Sequence, residues 1–279
     1  MKPYLKYAGG KSHLAPLIKL FWEYSESKRL VEPFAGSLAV TLALDPCYAL
    51  VNDNNEHVMN LHHHVQNWLV IEQKFENDES YFYQARRRFN ELTKGGKSSS
   101  KEAAELYFYM NRNGFNGLSR FNKKGEFNVP FGRYKNVNYQ KEFSSYSISM
   151  QDWEIECGDF EQLDIRDNDF LFVDPPYDDA FTQYGKEGFD WGDQERLVNW
   201  LNNYNCPIIT TNLATYRIIE LYCDNGFDVY TYSARRRISA NGSRTPVMEM
   251  FAIKNIQIPH VLLGGSSIKL TKAKIAEAA

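Results

Sequence analysis

The tetrapeptide Asp174-Pro175-Pro176-Tyr177 stands directly after the apolar run Phe170-Leu171-Phe172-Val173. The two prolines fix φ and remove two backbone donors, so the turn is stiff and offers carbonyl acceptors. Asp174 adds a carboxylate and Tyr177 a flat ring, a set of groups suited to an exocyclic amine on a planar base. In an open parallel sheet, ligands meet the chain just beyond the carboxyl ends of strands, where this corner would fall.

A second constellation is Val31-Glu32-Pro33-Phe34-Ala35-Gly36-Ser37, with Asp53 following Gly36 by 17 residues. A glycine after a first strand lets backbone approach a ligand, and an acid about 20 residues on is placed to accept from ribose hydroxyls. With one glycine where the dinucleotide pattern has three, ordinary helix–strand packing carries about half the weight here. The third is Lys6-Tyr7-Ala8-Gly9-Gly10-Lys11. Its Gly-Lys-Ser ending invites a phosphate-loop reading, but Leu5 stands where that pattern needs glycine and no strand precedes it. What remains is a loop with a ring and a cation that can fold over a ligand.

Net charge is −3, so attraction to a polyanion must be sought locally. Between residues 111 and 141 stand Arg112, Arg120, Lys123, Lys124, Arg133, Lys135 and Lys141 against the single acid Glu126, interleaved with aromatics, Gly and Asn. Lys and Arg supply phosphate affinity, while a few side chains read bases. Arg120 is the candidate for a bidentate guanine contact. Phe115 could fill the gap left by an extruded base, and Leu118 or Pro130 could touch its neighbours. A second acid-free run, residues 233–244, holds Arg235, Arg236, Arg237 and Arg244. Arg86-Arg87-Arg88 reads as a helix face. His62-His63-His64 cannot converge on one ion, because successive helical positions point about 100° apart. Pro46-Cys47 matches a cytosine-C5 nucleophile dipeptide, but it precedes a strand rather than following one.

The elements that must position these groups follow from the apolar runs. Residues 29–34, 48–53, 153–157, 169–177, 207–212, 227–232 and 247–254 read as strands, and 14–24, 37–44, 102–113, 191–204 and 214–225 as helices. Helical spacing also covers much of 54–101, and a hairpin is expected around Lys124-Gly125. Strand signal at both ends with a helical, basic middle predicts a doubly wound α/β domain interrupted by an insertion. The 279 residues, 43% hydrophobic and 24% charged, exclude disordered and disulfide-scaffold classes. The four scattered cysteines fit a reduced, cytoplasmic setting. No apolar run approaches the ~20 residues that span a bilayer.

The order KYAGGK, VEPFAG, NRNGFNGLSRFNKKGEFNVPFGRYK and DPPY resembles the DNA adenine-N6 methyltransferases of the D12 class, the Dam-type group most closely. The resemblance implies a Rossmann-like methyltransferase sheet over 1–53 and 150–259, a mainly helical target-recognition domain with a β-hairpin over 54–149, and a peripheral tail over 260–279. It implies S-adenosylmethionine as methyl donor, contacted by Tyr7, Lys11, Asp53 and Asp174. Phe34 and Gly36 would line that site and Asp159-Phe160 flank the cofactor's adenine. Asp174, Pro175, Pro176 and Tyr177 would be catalytic. Lys6, Phe115, Asn116, Leu118, Arg120, Pro130 and Arg133 would meet double-stranded DNA, with GATC as the expected site. A monomer without a metal is expected. Tyr7 replaces a more common Trp, and Ser37-Leu38 a more glycine-rich turn. Cytosine-N4 methylation, where Ser-Pro-Pro-Tyr is more usual, and an inactive DNA-binding relative are the alternatives.

Overall fold

The computed structural model describes residues 1–178, 188–234, 246–256 and 268–273. Strand β1 (Arg29–Glu32) is buried throughout and pairs in parallel with β2 (Tyr48–Asn52) on one side and β4 (Asp169–Val173) on the other. Strands covered on both faces need continuous apolar runs rather than alternation, which is why these segments are readable. Strand β3 (Trp153–Glu156) extends the sheet beyond β2, and β5 (Ile208–Leu213) extends it beyond β4, all in parallel. Strand β7 (Val247–Lys254) inserts antiparallel between β5 and β6 (Asp228–Ala234). Two tail residues, Thr271–Lys272, form edge strand β8 against β6. Among the described residues the order is β3-β2-β1-β4-β5-β7-β6-β8, the Rossmann-like doubly wound arrangement the sequence predicts. The chain reverses its direction of winding between β1 and β4, and the crevice at that switch point is where such sheets bind ligands.

The far end of the strands is locked by charge. Arg29 donates to both Asp169 oxygens at 2.9 Å and to Glu154 at 2.9 Å, tying β1, β4 and β3 together. Cys47 lies at this end, just before β2, so the Pro46-Cys47 match is remote from Asp174.

Helix α1 (Ala15–Ser25) follows the N-terminal loop as expected. The helix expected over 37–44 shrinks to α2 (Thr41–Leu44). Gly36 at φ +46° and Leu38 at φ +59° take left-handed conformations that cannot continue a helix. Leu38 holds that conformation because its side chain is fully buried. A turn that in richer-glycine form would be free of this cost is thus kept by packing.

Four helices lie between β2 and β3: α3 (Glu56–Gln66), α4 (Glu79–Lys94), α5 (Lys101–Asn113) and α6 (Ser144–Ser149). Asn55, Asp78 and Ser100 cap the first three through their side-chain oxygens. Helix α5 is buried nearly all round and packs on α3 and α4. The apolar core runs unbroken from the sheet into these helices. The hairpin expected at Lys124-Gly125 is a tight turn with one bridge, Phe121 to Phe127, closed by Asn122 Oδ1 accepting from Lys124 and Glu126. Helices α7 (Trp191–Leu201) and α8 (Tyr216–Asp224) flank β5 in sequence. The histidine tract splits as helical geometry demands: His62 is buried, His63 exposed, and His64 Nε2 meets the Ser99 carbonyl at 3.1 Å. The arginines Arg235, Arg236, Arg237 and Arg244 of the second basic run lie outside the described residues, as does most of the tail.

Candidate active site

Strand β4 ends at the switch point, and Asp174 is the first residue past it. Its two oxygens are held from two directions. Lys11 Nζ stands 3.0 Å from Oδ2, and Thr211 Oγ1 on β5 donates to Oδ1 at 2.7 Å. Burial raises the Asp174 carboxyl above the ordinary carboxylate range, and Lys11 opposes that rise. Each oxygen carries two lone pairs, so one on each remains to accept a further donor. The Pro176 carbonyl accepts from Gln194 at 2.9 Å, and Gln194 is held in turn by Asn212 at 3.0 Å. Among the described residues none donates to the Pro175 carbonyl. The Lys11 ammonium also lies 4.7 Å from the centre of the Tyr177 ring. The Tyr177 hydroxyl donates to Glu249 Oε2 at 2.9 Å.

Across the crevice, the Gly36 N–H donates to Asp53 Oδ2 at 2.9 Å, and the Asn55 N–H to Asp53 Oδ1 at 2.9 Å. Asp53 thereby joins the first strand's turn to the start of α3, and it keeps a lone pair on each oxygen. A Cβ on Gly36 would meet Tyr7 Cε1 at 2.8 Å, so only glycine lets that ring lie against the turn. The Gly36 carbonyl accepts from His62 Nε2 at 2.8 Å, while His62 Nδ1 pairs with the Tyr4 hydroxyl. Burial pushes His62 down to about 4, so the ring is neutral, with its proton on Nε2. Glu32, buried at the end of β1, accepts from Thr41 and is pushed up to about 8, chiefly by burial.

Phe34, Phe160 and Phe189 form an aromatic wall, with ring centres 5.5 Å apart for the first pair and 5.6 Å for Phe34 and Phe189. Arg196 covers Phe160 at 4.6 Å and donates to both Asp159 oxygens at 3.0 Å. Asp159 also caps its own short helical turn through the Glu161 N–H, so it shapes the wall.

One cleft of about 1880 Å³ unites these parts: Tyr7, Lys11, Phe34, Gly36, Asp53, Asp159, Phe160, Asp174, Pro175, Pro176, Tyr177 and Arg120 all line it. Arg120 is exposed, and its guanidinium is oriented by Asn128, which accepts through its side chain at 2.8 Å and its carbonyl at 3.3 Å. The other candidate DNA residues lie outside the cleft. Phe115 is 43% exposed and Pro130 is exposed. Asn116 sits beside Phe115 at φ +54°, and Leu118 packs on the core. Arg133 reaches Glu79 at 3.5 Å. Lys6 is turned inward: its ammonium donates to the Arg112 carbonyl at 2.9 Å and lies 3.9 Å over the Tyr134 ring. Thr211, Gln194, Glu249 and Asn111 were not singled out in the sequence, where their main partners stand far along the chain, and His62 was read only as part of its histidine tract. A lone acid inside the apolar strand run 247–254 was the one signal the sequence offered for Glu249.

Fold and site together define a Rossmann-like enzyme with a stiff acceptor corner and a glycine turn facing one cleft. The chain belongs to the D12 class of N6 adenine-specific DNA methyltransferases, whose family model matches residues 7–238. It is 32% identical over 263 residues to the type II methyltransferase M1.LlaDCHI of Lactococcus lactis subsp. cremoris, covering 87% of this chain and 91% of that protein. The retron Ec67 DNA adenine methylase of Escherichia coli is 32% identical over 267 residues, covering 91% of each. A DNA adenine methylase of Vibrio cholerae is 30% identical over 276 residues, covering 90% of this chain and 95% of its own.

The methyl donor is S-adenosylmethionine, and the cleft fits it. The aromatic wall suits a purine, the Asp53 lone pairs suit hydroxyls, and Lys11 with Asp174 offers both signs of charge to an amino-acid zwitterion. No helix among the described residues is long and apolar enough to cross a membrane. Among them no group of three or more His, Cys, Asp or Glu could hold a metal ion.

Proposed function

We propose that this enzyme methylates the N6 amine of an adenine swung out of duplex DNA, within GATC. The observation that carries the reading is the clamped corner: Asp174, fixed by Lys11 and Thr211, opens into the same cleft as the Gly36 turn and Arg120.

The amine of adenine is a weak nucleophile because its lone pair is delocalised into the ring. Asp174 and the Pro175 carbonyl each accept one N–H, which draws the nitrogen toward tetrahedral geometry and frees the lone pair. When bound, S-adenosylmethionine supplies an electrophilic methyl group on a sulfonium. Holding both reactants in register recovers up to about 7–11 kcal/mol of barrier. The Tyr177 ring receives the extruded base, whose unstacking costs a few kcal/mol that pocket contacts offset. Tyr7, Lys11, Phe34, Gly36, Asp53, Asp159 and Phe160 hold or line the cofactor site. Asp159 does so at one remove, by fixing Phe160 through Arg196.

Residues 54–149 serve as the target-recognition part, although they share the core of the catalytic part over 1–53 and 150–259. Arg120, oriented by Asn128, reads a guanine, which supports a site that contains G beside the target adenine. Phe115, Asn116, Leu118 and Pro130 lie on the same loop system and face neighbouring bases, and Arg133 meets phosphate. Lys6 supports this loop from beneath rather than reaching out.

Plasmid treated with enzyme and cofactor, then cut with endonucleases that are blocked or licensed by adenine methylation at GATC, tests the reading. Protection should appear with wild type and vanish with Asp174→Ala, while the variant still shifts duplex DNA on a gel. Methyl incorporation without protection at GATC would reject the site. Undiminished transfer by Asp174→Ala would reject the corner.

A further inference from the structure

Behind the acceptor corner lies a buried acid that the reaction, as described, does not use. Glu249 on β7 is 7% exposed, and one of its oxygens, Oε2, accepts from two phenols. Tyr177 donates to it at 2.9 Å and Tyr232 at 2.5 Å. Tyr232, on β6 and 2% exposed, is directly opposite Glu249 in the antiparallel register. The carboxylate is thus set into the sheet and reaches up to the ring at its end.

The consequence for Tyr177 is geometric. Its backbone follows two prolines at the end of β4, and its hydroxyl is pinned to β7, two strands along the sheet, beyond β5. A ring held at both its Cα and its phenol oxygen cannot swing about χ1 without breaking a charge-assisted hydrogen bond. A phenol that donates to a carboxylate also has a more electron-rich face, and that face already meets the Lys11 ammonium at 4.7 Å. Methyl transfer leaves positive charge on the acceptor base until its amine proton departs, so a ring of this kind is matched to the product side of the step as well as to the neutral base.

We propose that Glu249 is a positioning residue for methyl transfer: with Tyr232 behind it, it fixes the Tyr177 ring as the platform for the extruded adenine. The proposal rests on the reading of Tyr177 as the base's stacking partner. Glu249 acts through Tyr177 and touches neither substrate.

Single-turnover methylation and the fluorescence of 2-aminopurine at the target position, both with full-length enzyme and cofactor, test it. Wild type should give a fluorescence rise on binding. Glu249→Gln should slow single-turnover transfer by about ten- to a hundredfold, the range expected for a hydrogen bond to a charged group, with cofactor affinity unchanged. Tyr177→Phe, which keeps the ring and loses the tether, should fall by a similar factor. The double variant should be no slower than either single one, because both break one link. Tyr232→Phe leaves the Tyr177 tether and should cost only a fewfold. If Glu249→Gln does not fold, Tyr177→Phe and Tyr232→Phe carry the test: equal losses would overturn the order of the chain. Additive losses in the double variant, or an unslowed Glu249→Gln, would overturn the proposal. Transfer by Tyr177→Ala as fast as by Tyr177→Phe would instead overturn the stacking role of Tyr177 itself.

Discussion

Lys11 Nζ lies 3.0 Å from Asp174 Oδ2, joining the N-terminal Gly-Gly-Lys loop to the end of β4. With Lys11 4% exposed and Asp174 18% exposed, this is a largely desolvated pair, where removal of one partner leaves the other's charge uncompensated.

Lys11→Met should therefore act on the acid limb of activity. Asp174 must be ionised to accept the amine, and burial already lifts it above the ordinary range while Lys11 pulls it down. Without the ammonium the carboxyl rises further, because the cation that favours its charged form is gone. The low-pH limb of kcat should therefore move to higher pH, so that activity falls on the acid side and recovers as pH rises. A kcat–pH profile with an unmoved acid limb would show that the pair does not set the ionisation of Asp174.

Glu32 and His62 predict opposite slopes of stability with pH. Glu32 has a folded value of about 8 against 4.5 for the free side chain. The native state therefore keeps a proton that the unfolded chain loses. The contribution is complete below about pH 4.5 and declines as pH rises through about 8, by on the order of 4–5 kcal/mol. His62 has a folded value of about 4 against 6.5. Its contribution is complete above about pH 6.5 and is lost as pH falls toward 4, by about 3 kcal/mol. Urea unfolding from pH 4 to 9 should show Glu32→Gln flattening the alkaline decline and His62→Gln flattening the acid one. Parallel curves for wild type and Glu32→Gln would mean that Glu32 is ionised in the native protein.

The strands were legible because burial on both faces demands unbroken apolar runs: Phe170 to Val173 and Ala49 to Val51 could be little else. The corner at Asp174 and the turn at Gly36 were legible because their residue types constrain backbone and charge locally. The helix over 37–44 misled, because nothing in its composition reveals that Leu38 turns left-handed over a buried anchor. Thr211, Glu249 and the role of His62 were hidden for a different reason. Their partners Asp174, Tyr177 and Gly36 are brought near by sheet order and helix packing, and no local pattern encodes that. Asp53 was legible as a position, yet it also braces the turn itself by accepting from Gly36 and Asn55.

Arg120 is oriented by Asn128, so the two should fall together in specificity. Arg120→Ala should relax discrimination at one base pair by about 1–3 kcal/mol and reduce binding to all duplexes only modestly. Asn128→Ala keeps the charge but frees the guanidinium, so it should lose discrimination at that same base pair with the salt dependence of binding unchanged. Transfer rates on duplexes bearing single base changes read both effects. A loss spread evenly over all substrates would place Arg120 on phosphate instead.

Asn111 ties the N-terminal loop, the proposed cofactor loop, to the loop proposed to face DNA, although it lines no part of the cleft. Its Oδ1 accepts from the Lys6 N–H at 2.9 Å, and its Nδ2 donates to the Lys6 carbonyl at 2.7 Å and the Gly117 carbonyl at 3.1 Å. One buried amide thus ties the residue before Tyr7 to the turn after Phe115. Asn111→Ala strips three backbone groups of their partner, one buried and two partly buried, at about 1–3 kcal/mol each before relaxation, so a loss of about 2–4 kcal/mol in urea unfolding is expected. More telling is the effect on ligands. Loosening Lys6 loosens Tyr7 and Lys11, so cofactor affinity by calorimetry should fall severalfold, and duplex affinity should fall with it. Asn113→Ala is the control. Asn113 is equally buried at the end of α5, but it pairs with Tyr109 and Tyr139 and not with the N-terminal loop. It should cost stability while leaving cofactor affinity in place; equal losses of cofactor affinity in the two variants would mean that general softening of α5, and not the Lys6 tie, governs the site.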